Sequence, residues 1–156
     1  CAGDPEIGAK FEAIRCEVLR QKRDLAKLRE EVMAMRLRMA DGHPNKTALF
    51  DLKHDRGGLV DVEFIVQYLV LGHAHGYAKL TGNLGNIALL HMAGELGLIP
   101  TDAATRAANS YREYRRLQHG LRLNNQPSRV DPALVAERAA DVRALWNLVF
   151  GDSLST

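Results

Sequence analysis

Apolar residues in this chain return at intervals of three and four over most of its length, and that spacing does most to restrict the fold. Leu25, Leu28, Val32, Met35 and Met39 step by three, four, three and four, which stacks side chains along one side of an α-helix. Ile7, Phe11, Ile14 and Val18 repeat the pattern just before them. A half-buried strand would need alternation of period two instead. Helical spacing recurs in Val62, Ile65, Val66, Leu69, Val70 and His73, then in Ile87, Leu90 and His91. It returns in Ala107, Tyr111, Tyr114, Leu117 and Leu121, and in Val135, Ala139, Val142, Leu145, Trp146 and Val149. The expected fold class is all-α, a single helical-bundle domain of about six helices.

Start and stop signals divide these stripes. Asp4-Pro5-Glu6 and Asp131-Pro132 each place an N-cap aspartate before a proline at the first helical position. The change of phase near Arg23-Asp24 fits either a break between two helices or a bend in one. Asp41-Gly42-His43-Pro44-Asn45 ends that segment. Later helices are expected over Leu59 to about His75, over Asn83 to Leu96 with Gly97 as the stop, and from Pro100-Thr101-Asp102 onward. Asn124-Asn125-Gln126-Pro127-Ser128 reads as a loop. The resulting division is a long helical segment over 1–41, a loop over 42–58 and a helical bundle over 59–150.

Composition removes several function classes. With 156 residues there is enough chain for one domain with a core. A formal net charge of +2 gives no argument for nucleic acid. The nine basic and five acidic residues between Lys10 and Arg38 fall mostly between apolar positions, so a solvated helix face is expected there. Cys1 and Cys16 belong to no Cys/His cluster, which argues against zinc and fits a reducing cytoplasm. No apolar run approaches the roughly 18 residues of a membrane span. No basic stretch precedes an apolar one at the start, so no secretory leader is expected. A beginning at Cys1 followed by Ala-Gly-Asp-Pro-Glu reads as the middle of a longer protein.

The segment from Phe50 to Leu71, F-D-L-K-H-D-R-G-G-L-V-D-V-E-F-I-V-Q-Y-L-V-L, interrupts the helical pattern with charge and a Gly-Gly pair. As a strand it would set Asp61 and Glu63 side by side, an oxygen-ligand pair suited to Mg²⁺. As a helix it would put them about 200° apart. Continued helical spacing, the Gly57-Gly58 start and an acid in the first turn favour the helix; the β-branched residues favour the strand. The helix reading offers backbone N–H groups at Gly57-Gly58 for an anion, with Lys53 as a nearby point charge. His54-Asp55 resembles the pair used by metal phosphohydrolases, but further His and Asp ligands on separate helices are wanting. His73 and His75 read as a packed or surface pair, and His91 as a satisfied core histidine. Arg115 and His119 share a helix face and read, on spacing alone, as a surface pair.

The same segment, F-D-L-K-x-x-x-G-G-L-V-D-V-E-F-x-x-Q-Y-L-V-L, resembles the signature of bacterial glutamine synthetase adenylyltransferases. The opening A-G-D-P-E-I and the later Y-x-x-Y-R-x-x-x-H from Tyr111 to His119 resemble that family at matching places. Uridylyltransferases of the PII signal protein share a looser version. The resemblance implies two similar halves, each a nucleotidyltransferase domain followed by a helical domain, with this chain in the C-terminal half. That half is implied to transfer AMP from Mg²⁺-ATP to a tyrosine of glutamine synthetase, under control by PII and glutamine. The family's metal carboxylates follow a Gly-Ser motif that this chain lacks, so no catalytic residue, metal ligand or bound cofactor is expected in the piece alone. Its implied place is beside the nucleotide cleft formed with an upstream nucleotidyltransferase domain. Lys53, Gly57 and Gly58 would lie nearest the phosphates. Asp61 and Glu63 would fix the turn by hydrogen bonds, and Arg115 and His119 would line the facing helix. The competing reading is a non-catalytic interaction module that binds glutamine synthetase or PII through its first helices.

Overall fold

A computed structural model describes residues 4–151. Cys1 and the Ala2-Gly3 of the opening motif lie outside the described residues. Among the described residues the fold is all-α, with six α-helices, one short 3₁₀ turn and a two-stranded ribbon.

Three helices begin where an aspartate caps them. Helix α1 (Pro5–Leu19) starts at Asp4, whose carboxylate accepts from the Glu6 N–H at 2.8 Å. Helix α2 (Leu25–Gly42) starts at Asp24, which accepts from the Ala26 and Lys27 N–H groups. Helix α6 (Pro132–Phe150) starts at Asp131, which accepts from Ala133 N–H. Each cap satisfies a donor that a helix start would otherwise leave orphaned. The phase change near Arg23 is therefore a break. Arg23 secures it by donating to the Val18, Leu19 and Gln21 carbonyls and to the Leu71 carbonyl on the helix that follows α2.

Helix α3 (Leu59–His73) is the hub, packing against α2, α4 (Asn86–Glu95), α5 (Thr101–Leu123) and α6. The sequence suggests one apolar stripe on it. The structure buries Leu59, Val60, Phe64 and Tyr68 as well as Val62, Ile65, Val66, Leu69 and Val70. A helix enclosed on nearly every side is apolar nearly all round. Trp146 and Phe150 of α6 pack against each other with planes tilted by 40° and ring centroids 4.3 Å apart, and Phe150 meets Tyr68 at 5.0 Å. Each such side chain contributes about 1.5–3 kcal/mol when fully buried.

Several expectations are corrected. The helix expected over Asn83 to Leu96 is the shorter α4, which begins at Asn86 behind an N-cap at Gly85; a 3₁₀ turn over Ala78–Thr81, not expected, precedes it. The loop over 42–58 contains strand β1 (Phe50–Asp51), paired antiparallel with β2 (Arg129–Val130) in the register Phe50–Val130 and Asp51–Arg129. On α2 the inward face keeps Leu28, Val32 and Met39 but takes Arg36 in place of Met35. Met35 is exposed, and Arg36 is buried where a solvated charge was expected. His91 is only half-buried, on the flank of α4. The stripe Ile7, Phe11, Ile14 and Val18 of α1 forms a helix as expected but is exposed. Among the described residues no helix is long and apolar enough to cross a membrane.

Candidate functional site

The segment between β1 and α3 folds by satisfying its own polar groups. The Asp51 carboxylate accepts from the Lys53 and His54 N–H groups at 2.9 and 3.1 Å. The Asp55 carboxylate accepts from Asp51 N–H at 2.9 Å and from the Asn45 amide at 2.7 Å. Asx turns of this kind hold a chain without regular structure. The turn then enters α3 through Gly57, whose φ is +89°. A Cβ there would come within 2.5 Å of the Ala139 carbonyl oxygen on α6. Only glycine combines that backbone conformation with that approach. From the other side the Tyr114 hydroxyl of α5 donates to the Gly57 carbonyl at 2.9 Å.

Asp61 locks the entrance. It is fully buried and accepts from Gly57 N–H at 2.6 Å and from Arg36 Nε at 2.5 Å. Arg36, itself 1% exposed, also donates to the His54 carbonyl at 2.8 Å. Arg56 Nε approaches Asp61 to 3.9 Å, and its guanidinium lies over the Trp146 ring at 5.4 Å. Burial lowers the pKa of Arg56, and Asp61 opposes that shift. Arg143 of α6 donates to the Arg56 carbonyl at 3.3 Å. A buried carboxylate needs this company, because a lone buried charge costs several kcal/mol.

Glu63 leaves the same helix in another direction. It accepts from the Tyr111 hydroxyl at 3.2 Å, and the Asn86 amide donates to that hydroxyl at 3.0 Å. Burial pushes the Tyr111 hydroxyl above its ordinary range. Glu63 thus ties α3 to α4 and α5 and does not reach the Gly57 turn. His54 stacks face to face on His43, with ring centroids 4.1 Å apart and planes 4° from parallel. Burial, then the neighbouring His43, lowers the His54 pKa. Lys53, Arg115 and His119 are exposed, and their side chains form no hydrogen bond or ion pair among the described residues. The structure brings Gly57, Gly58 and Asp61 together; Glu63, Lys53, Arg115 and His119 are not joined to them by any side-chain hydrogen bond or ion pair.

This arrangement bears on the two chemistries the sequence raises. The N–H groups of Gly57, Gly58, Leu59 and Val60 donate to Asp61, Asp55, Leu52 and Lys53. They are not free to hold a phosphate. Asp61 and Glu63 do not fit a Mg²⁺ site, since one is consumed by Arg36 and Gly57 and the other faces Tyr111. Among the described residues no group of three or more His, Cys, Asp or Glu side chains is placed to hold a metal ion. Sequence reasoning missed Arg36, Tyr111 with Asn86, and the Tyr114 clamp. Arg36 had one visible signal: it lies four residues after Val32 and three before Met39, on the helix edge that turns inward.

The family model for GlnD PII-uridylyltransferase matches residues 23–130. A bifunctional glutamine synthetase adenylyltransferase/adenylyl-removing enzyme of Aromatoleum aromaticum is 64% identical over 152 residues, 97% of this chain and 16% of that protein. The enzyme of the same name from Ralstonia nicotianae is 61% identical over 97% of this chain and 16% of its own length. That from Nitrosomonas europaea is 59% identical over 96% of this chain and 18% of its own. The chain thus spans about a sixth of the length of the curated relatives it matches. With its signature segment folded as the entrance to α3, and with that match over well more than half its residues, the chain belongs to the GlnD PII-uridylyltransferase family.

Proposed function

We propose that this chain is a helical module of a bifunctional glutamine synthetase adenylyltransferase/adenylyl-removing enzyme, within the half that transfers AMP from ATP to a tyrosine of glutamine synthetase. The observation that carries this reading is 64% identity with an enzyme of that name across 97% of the chain. In this reading the module holds no catalytic metal carboxylates and is inactive by itself. ATP and Mg²⁺ belong to an upstream nucleotidyltransferase domain, glutamine synthetase is the substrate, and PII is a regulator, all in the cytoplasm. Gly57, Gly58 and Asp61 keep the signature turn in shape, and Glu63 steadies the helices beside it. Lys53, Arg115 and His119 are the exposed cations and imidazole left to face the nucleotide's phosphates.

The test is Lys53→Ala in the full-length polypeptide. Transfer of AMP to glutamine synthetase should fall by about tenfold, the size of one charge-assisted contact, while binding of glutamine synthetase is unchanged. Unchanged turnover would remove the phosphate-facing role from Lys53.

A further inference from the structure

Helix α1 carries an apolar stripe that nothing among the described residues covers. Ile7, Phe11, Ile14 and Val18 are 66%, 58%, 60% and 44% exposed, and no residue of α1 is buried. At 100° per residue the four side chains fall within roughly 60° of one another around the axis. The body of the domain touches the helix elsewhere. Arg15 donates to the Thr81 carbonyl at 2.5 Å, and Leu19 packs against the core. Both lie about a quarter-turn from the stripe. A helix of 15 residues is marginal in water unless an apolar face is packed, and this face has the three-and-four spacing that seats against another surface.

We propose that this stripe docks the module onto another segment of the same polypeptide. Two observations choose that occupant. The matched region covers only 16% of the Aromatoleum aromaticum relative, so most of that polypeptide lies outside it. The stripe's flanks carry both signs, Lys10 and Glu17 on one side and Glu12 and Arg15 on the other. They make no single-sign field to steer a separate charged partner. A second copy is a poorer occupant, because four side chains fall short of the roughly 800 Å² per partner of a stable interface. A tethered segment needs no such area, since its effective concentration is already high. The inference rests on the reading of this chain as a module of a longer protein, and not on which reaction that protein performs.

The test is hydroxyl-radical footprinting of the full-length polypeptide, without substitution. Phe11 and Ile14, corrected for intrinsic reactivity, should be labelled at least about fivefold less than Leu123 and Leu134, as expected of a dry interface core. Equal labelling overturns the proposal. Protection that disappears on dilution assigns the face to a second copy, and protection that appears only with added glutamine synthetase assigns it to that protein; either overturns it too. An assay of AMP transfer on the same sample shows separately whether the enzymatic reading holds.

Discussion

Asp61 and Arg36 show how a charge pair can look functional in sequence and be structural in the fold. Arg36→Met removes the main partner of a fully buried carboxylate. It should lower the unfolding free energy of this chain by about 3–5 kcal/mol in urea, whereas exposed Lys53→Ala should change it by no more than about 0.5 kcal/mol. His54 supplies the pH dependence. Its pKa is lowered from 6.5, so the folded chain favours the neutral ring. The stabilising contribution is complete above the ordinary value and is lost as pH falls through the folded one. Desolvation and the charges of His43, Lys53 and Arg36 work in this direction, and Asp51 works against it. The melting temperature should decline from about pH 7 to pH 5, and His54→Phe, which keeps the stack, should flatten that decline. An identical decline in the variant would remove His54 from the account. The helical reading of Asp61 was legible, because a Gly-Gly start and a first-turn acid are local signals. The pairing of Arg36 with it was not, because the two lie on different helices and a charge run reads as solvated; spacing hinted only that Arg36 turns inward.

At the scale of elements, the turn at Gly57 is gripped by α5 through Tyr114 and by α6 through Ala139. Gly57→Ala combines a positive φ with a backbone overlap at 2.5 Å and should destabilise the chain by at least about 2 kcal/mol. Gly97→Ala has the positive φ but open space around it, so about 1 kcal/mol is expected. Equilibrium denaturation of the two variants side by side measures the difference, which the α6 contact accounts for. Helix starts at Asp4 and Asp131 were readable because a cap bonds only its own next residues; the start at Asp24 was left open, since the change of phase beside it fits a break or a bend alike. The ribbon of β1 and β2 was not. Two residues show no alternation, and their pairing joins parts of the chain far apart in sequence.

The whole molecule is a bundle built around α3, with α1 attached at its edge. Amide exchange of this chain should show it: α3 should open only with global unfolding, while α1 exchanges through local opening. Equal protection of the two helices would contradict the edge position of α1. The all-α class was legible from spacing alone, and the enclosure of α3 was partly so, from its nearly unbroken apolar run. The bareness of α1 was not, since an amphipathic stripe announces that a face is covered without saying by what. The signature segment is a packed brace holding α2, α3, α5 and α6 together. Its most direct test is equilibrium urea unfolding of Asp61→Asn, which leaves Arg36 buried without its counter-charge. A loss of about 3 kcal/mol or more is expected; stability within about 0.5 kcal/mol of the parent chain would contradict the brace.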